Sequence, residues 1–425
     1  MRFSILVALM ACSAAQSQQT MRLTLADAQR LAIQNNPQFS AAKFTAAAAY
    51  QVPNQYKSNL LPNLSGNFTG VGADNGSRIA AGALNNPVIY DRIGSGLTIS
   101  QLVTDFGRTN NLIGMAKLQA AAQDQVTEGA RADILLVTSS AYFAVLSAQS
   151  VLKVVDETVK DRQTVVDQVT ALVEIAKKKS TLDLSFANVN LSGARLLQVQ
   201  AQNDLEAAEA RLAAAMGLPG EPAFALAEEP MPPAMPERVQ DLIDAAIQDR
   251  PELKDLRLQQ SAAERLAKAE HDLFFPTVAV LGTAGFAPAA EAQIPGRYGA
   301  IGANISIPIF NGGLFRARQT EAELKAKAAE ENVNDLQNRV IRDVRTAWLN
   351  ATTAYDRLAL TQELVTQAQL AMDLSQSRYD LGLADIVELS QAQLNLTSAQ
   401  IANTTARYDY QAQRINVDFQ TGSLR

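Results

Sequence analysis

One histidine, His271, and one cysteine, Cys12, are all that this 425-residue chain offers to imidazole or thiol chemistry. A Ser/His/Asp triad, a histidine-based metal site and a disulfide framework each need more than that, so none is expected. Carboxylate pairs could still do acid–base work, and the chain carries 43 acidic residues. They are spread along stretches of helical period without a pocket signature, so no enzyme and no cofactor is expected.

The net charge of -6 and the pI of about 5.1 argue against a nucleic-acid surface, which would cluster basic residues. Hydrophobic residues make up 47% of the chain, yet the mean hydropathy is only -0.05. No uncharged apolar run is expected to reach the roughly 18–20 residues of a spanning helix. Entry into a membrane would therefore have to be by β-strands. The first residues read as a secretory signal over 1–15: Arg2 supplies the charge, Phe3 to Met10 the apolar core, Ser13-Ala14-Ala15 the small-residue cleavage site. Leu9-Met10-Ala11-Cys12 also loosely matches a lipoprotein box, which leaves two fates for Cys12, acylation or removal with the signal.

The chain repeats itself. Ala32-Ile33-Gln34-Asn35-Asn36-Pro37 matches Ala246-Ile247-Gln248-Asp249-Arg250-Pro251 at an offset of 214, which also carries Leu61-Pro62 onto Phe275-Pro276. Gly96-Leu97-Thr98-Ile99-Ser100 matches Gly302-Ala303-Asn304-Ile305-Ser306 at 206, and Tyr142 falls on Trp348 at the same offset. Leu182-Asp183-Leu184-Ser185 matches Val387-Glu388-Leu389-Ser390 at 205, as Gly217 matches Gly422. Matches that run in order along the whole chain mean an internal duplication. The copies span 21–217 and 238–422. Between them, 218–237 holds six of the 15 prolines, cannot be regular helix, and reads as a linker.

Each copy opens on a helical stretch, Leu25 to about Lys57 in the first, with Thr24 as N-cap and a break at Pro37; Pro251 does the same in the second. The period then changes to two, predicting β-hairpins over about 62–103 and 276–310. Ile93, Leu97, Ile99 and Val103 alternate with Gly94, Gly96, Thr98 and Ser100, and Ile301 to Ile309 repeats the phase. One apolar face and one small polar face is the pattern of a membrane-barrel strand, although a half-buried soluble hairpin shows it too. Long helices follow over about 107–176 and 314–380, each roughly 100 Å at 1.5 Å per residue. Shorter ones follow over about 182–216 and 386–421. The predicted fold class is mainly α with four strands. Single-chain membrane barrels begin at about eight strands, so four in lipid must be shared between protomers: two chains give eight, three give twelve.

These residues resemble the TolC family of outer-membrane efflux and secretion channels. The resemblance is carried by Leu23 to Ala28 with Asn35-Asn36-Pro37, by Leu61-Pro62-Asn63, by Pro308 to Gly313, and by Tyr379-Asp380-Leu381-Gly382 leading to Asp385-Ile386-Val387-Glu388. It implies a homotrimer whose twelve strands form one barrel in outer-membrane lipid, above an α-helical barrel crossing the periplasm. It further implies a periplasmic adaptor and an inner-membrane pump of the RND, ABC or MFS type. The implied gate lies at the periplasmic helix tips, with Tyr379, Asp385 and Glu388 as its residues. Lys177, Lys178, Lys179 and Gly382 become adaptor-contact candidates, or the lysines a solvated turn or a salt-bridge partner of Asp183 or Glu388. The chain departs from the family pattern at Ala384, where some members carry arginine, at Gln391 in place of a second carboxylate, and at the lysine run in place of a glycine turn. A protein of another class, a periplasmic coiled-coil scaffold anchored at Cys12, would share the helices; the small polar strand faces favour the channel.

Overall fold

The computed structural model describes residues 21–72, 92–174, 180–219, 224–288 and 296–424. The stretch 1–15 expected as a signal, with Cys12, and Lys177 to Lys179, lie outside the described residues. The first copy contains β1 (Met21–Leu23), α1 (Leu25–Asn35), α2 (Pro37–Ala49), α3 (Gln51–Ser58), β2 (Asn63–Val71), β3 (Arg92–Thr104), α4 (Arg108–Glu174) and α5 (Thr181–Ala215). Then come β4 (Phe224–Leu226), α6 (Val239–Asp249), α7 (Pro251–His271), β5 (Thr277–Phe286), β6 (Arg297–Ser306), α8 (Leu314–Asp380) and α9 (Ile386–Gln420). The duplication has its counterpart in length: α4 and α8 are both 67 residues, α5 and α9 both 35, α1 and α6 both 11.

Local chemistry sets the boundaries. Thr24 accepts the Asp27 amide at 3.2 Å and starts α1. Asn36 precedes a proline, takes an extended backbone (φ -75, ψ 118), and caps α2 by accepting the Gln38 amide at 2.8 Å. Arg250 is extended in the same way before Pro251. The stretch expected as one helix with a break is three pieces, because the chain breaks again at Tyr50. The second hairpin stops at Ser306 rather than 310; Pro308 has no amide hydrogen to extend the ladder.

Two further features add to the sequence reading. First, the linker contains a short strand: β4 pairs in parallel with β1, Leu23 opposite Leu226. Three residues pairing across some two hundred leave no local period to read. The linker's carbonyls are also claimed by side chains. Tyr142 Oη stands 2.6 Å from the Ala227 carbonyl, Trp348 Nε1 donates to Pro236 O at 2.9 Å, Gln411 Nε2 donates to Glu229 O at 3.1 Å, and Tyr410 Oη donates to Pro233 O. Proline offers no donor, so a proline-rich strap is held through its acceptors. Second, α4 does contain one window long and apolar enough to cross a membrane. Residues 134–152 carry no charge, but Thr138, Ser139 and Ser150 interrupt them. That part of α4 is committed to the protein core, where Tyr142, Val145 and Leu146 pack with Leu23, Leu212, Met216 and Tyr408.

In the lower half α4 packs between α5 and α9, and α9 packs on α8; nearer the sheet, α4 packs on α1 to α3 and on α7, which packs on α8. The sheet order is β2-β3-β5-β6, all antiparallel. Its two edges are β2, which follows α3 in the chain, and β6, which leads into α8.

Candidate functional site

The register sorts the sheet into two faces. Leu64 lies opposite Ile99, which lies opposite Gly282, which lies opposite Ile301. Leu97 and Ala284, and Val278 and Ile305, share that side. The other side carries Ser65 opposite Thr98, Thr98 opposite Thr283, and Asn304 opposite Ala279. Ile301 is 84% exposed and Phe68 77%. An apolar face this bare in water is what lipid would cover, and the small hydroxyl and amide face is what a water-filled lumen needs. A bulge between Leu102 and Thr104 ends the β3–β5 ladder just before the return to helix.

At the opposite end, helix α8 stops in a Schellman turn. Gly382 takes φ +72, its amide donates to Tyr379 O at 3.0 Å, and the Leu383 amide donates to Arg378 O at 2.8 Å. Asp385 then caps α9 by accepting the Glu388 amide at 2.9 Å. Glu388 in turn receives Arg378: Nε donates to Oε1 at 3.0 Å and Nη2 to Oε2 at 3.4 Å, while Nη2 also reaches Leu383 O at 3.3 Å. The first-copy tip is capped by a reciprocal box, the Asp183 amide donating to Ser180 Oγ at 3.3 Å and the Ser180 amide to Asp183 Oδ2 at 3.0 Å.

The expected gate residues thus separate. Asp385 and Glu388 stand together at the surface of the α8–α9 turn. Tyr379 is buried within the protomer, against Val166, Val169, Ala187, Leu191, Ile386 and Leu389. Burial pushes its phenol up, and the neighbouring charges of Asp183 and Asp380 push the same way. Gln391 turns along its own helix, Nε2 donating to Asn395 Oδ1 at 2.9 Å. Sequence reasoning missed Arg378. It looked for an arginine beyond the turn glycine and found Ala384, whereas the guanidinium comes from before the turn. A ten-residue separation across a turn is no helical period, so nothing in the spacing marked the pair.

A sheet with segregated faces, set on helices of 67 residues, defines the protomer of an outer-membrane channel. The family model described as outer membrane efflux protein matches residues 28–218 and 242–423, one segment in each copy, and the chain belongs to that family. Outer membrane protein TolC of Escherichia coli K12 is 24% identical over 415 residues, covering 92% of this chain and 80% of its own. The alkaline protease secretion protein AprF of Pseudomonas aeruginosa is also 24% identical, covering 95% of this chain and 85% of its own. Among solved structures, the channel CusC superposes with a TM-score of 0.82 at 18% identity, covering 95% of this chain and 93% of CusC. VceC of Vibrio cholerae superposes at 0.78 and 20% identity, covering 94% and 96%. The fold is TolC-like, the protein resides in the outer membrane with its helices in the periplasm, and its family works with efflux or secretion pumps.

Proposed function

We propose that three copies of this chain close one twelve-stranded barrel and form the passive exit conduit of a tripartite efflux or type I secretion assembly. The observation that carries this is the protomer's sheet: four strands, one apolar and one polar face, and two edges, β2 and β6, that pair with no other strand among the described residues. Edge amides and carbonyls in lipid cost several kcal/mol each, so the edges must meet other copies. The helices continue the conduit into the periplasm. Glu388 and Asp385 line its constriction, with Tyr379 packing the helices that carry them. The α8–α9 turn at Gly382 and the lysine run Lys177 to Lys179 meet a periplasmic adaptor, which joins the channel to an inner-membrane pump of RND, ABC or MFS type. The relatives' names span protease secretion and toluene efflux, so both cargo classes suit the conduit.

Light scattering in detergent should return three chains per particle, and the purified protein should open steady conductance in a planar bilayer. A monomeric particle that never conducts would overturn the proposal.

A further inference from the structure

The duplication makes the chain carry an image of its own assembly contact. The first hairpin sets Asn63 opposite Ser100, and the second sets Thr277 opposite Ser306, the same pair moved by 214 on one strand and 206 on the other. The two hairpins are therefore equivalent residue for residue. Between them lies one junction, the end of copy one against the start of copy two, where β3 pairs with β5. In a closed ring the missing junction is the other kind, the end of copy two against the start of copy one in the next protomer.

We infer that β6 pairs with β2 of a second copy of this chain in the register that β3–β5 displays, Asn304 opposite Thr69 and Ile305 opposite Phe68. This rests on the shared-barrel reading above and adds to it a partner strand, a direction and a register. It follows by moving Thr98–Thr283 and Ile99–Gly282 by the same 206 and 214. The face assignment was not used to obtain it, and agrees with it. Ile305 and Phe68 both lie on the apolar face, Asn304 and Thr69 both on the polar one. A slip of one residue would set lipid-facing positions against lumen-facing ones.

The helices give a second, separate agreement. Inside the chain α4 packs on α9, with Thr158 Oγ1 3.4 Å from Thr397 Oγ1. Moving α4 by 206 onto α8, and α9 back by 205 onto α5, sets Leu364 beside Ser192 of the next copy. One turn to either side of Ser192 are Val189 and Leu196. In the isolated protomer these are bare, Leu364 at 51%, Val189 at 67% and Leu196 at 73% exposed. Three exposed leucine and valine side chains thus come together where the copied junction joins the helices, and Leu364 is covered by Val189 and Leu196, two turns apart on one helix.

Cysteine pairs test the register. Asn304→Cys with Thr69→Cys, and Ile305→Cys with Phe68→Cys, cover both kinds of antiparallel site, whose Cα separations of roughly 5.5 and 4.5 Å both lie within disulfide reach. Oxidised and run without reductant beside each single-cysteine control, at least one pair should convert most of the protein to covalent trimer. Asn304→Cys with Asn67→Cys or with Val71→Cys, two residues out of register, should give only the control level. Every variant is first sized by light scattering under reducing conditions. Cross-linking by a slipped pair in a particle that still holds three chains overturns the register and leaves the conduit standing. Monomers with no cross-link from any pair overturn the register and the shared barrel together.

Discussion

Arg378, on the last turn of α8, holds the carboxylate of Glu388 across the tip turn, with Nε 3.0 Å from Oε1. Both side chains are about half exposed, at 54% and 40%, so the pair adds little stability, on the order of 0–1 kcal/mol. Its consequence is positional: it fixes where a negative charge stands at the tip. Glu388→Ala should leave the melting temperature nearly unchanged while raising single-channel conductance and lowering cation selectivity in a planar bilayer. If conductance and selectivity both stay at the wild-type level, Glu388 does not line the constriction.

The two copies are buckled by one repeated contact. A Cβ on Gly217 would stand 3.0 Å from the Asn35 carbonyl oxygen, and a Cβ on Gly422 would stand 2.9 Å from the Arg250 amide nitrogen. Both glycines have positive φ, +67 and +73. Alanine at either position meets left-handed strain of roughly 1–2 kcal/mol and a backbone clash besides. Gly382 has the same backbone sign but open space around it, so it meets the strain alone. Gly217→Ala and Gly422→Ala should therefore cost about 3 kcal/mol or more and Gly382→Ala about 1, read as shifts in urea midpoint in detergent. Equal shifts at all three positions would mean that the close approach is not tight.

Why the fold was so legible, and the tip was not, follows from the range of the forces involved. Helix and strand periods, proline breaks and a cap such as Thr24 are local, and the repetition of the periods and breaks in two copies reinforced them. The pairing of β1 with β4, and the hold of Tyr142 and Trp348 on the linker carbonyls, join residues 85 or more positions apart with no period to announce them. At the tip, the residue types at 379, 385 and 388 were visible. Whether each side chain faces water or the core depends on how four helices pack, which set Tyr379 inward and Glu388 outward.

Tyr142 gives the linker contact a pH signature. Its ring is fully buried and its hydroxyl reaches the Ala227 carbonyl at 2.6 Å. Burial, with the Glu229 charge adding to it, raises the phenol to about 12. An unfolded tyrosine loses its proton near pH 10. Below that, both states hold the proton and the contribution is complete. As pH rises towards 12, only the unfolded chain deprotonates, so stability is lost, by at most about 2–3 kcal/mol per chain. Alkaline melts should show a loss in that window which Tyr142→Phe removes, at the cost of about 1–3 kcal/mol at neutral pH for the carbonyl left without its donor. Trp348→Phe should weaken the neutral-pH melt less, because its bond to Pro236 is open to water, and leave the alkaline loss in place. An alkaline loss that survives Tyr142→Phe would assign it to other tyrosines.

Near the sheet, α7 and α8 are joined by an ion pair of unequal burial. Arg318 Nε lies 2.8 Å from Glu270 Oε2, and Nη2 donates to Oε1 at 3.0 Å. The carboxylate side chain is only 9% exposed and the guanidinium 44%. Breaking such a pair from the arginine side strands a desolvated anion, and a buried pair broken this way loses about 3–5 kcal/mol. The exposed arginine lowers that figure here, to about 2–3 kcal/mol for Arg318→Ala. Removing the charge instead of its partner is milder, because Glu270→Gln keeps an acceptor for the guanidinium, and about 1 kcal/mol is expected. The double variant Glu270→Gln with Arg318→Ala should recover part of the loss of Arg318→Ala, since no anion is left stranded. Thermal melts of the four proteins at two salt concentrations read the cycle. A double variant as unstable as the two single losses added together would mean that the two residues act separately and do not clamp α7 to α8.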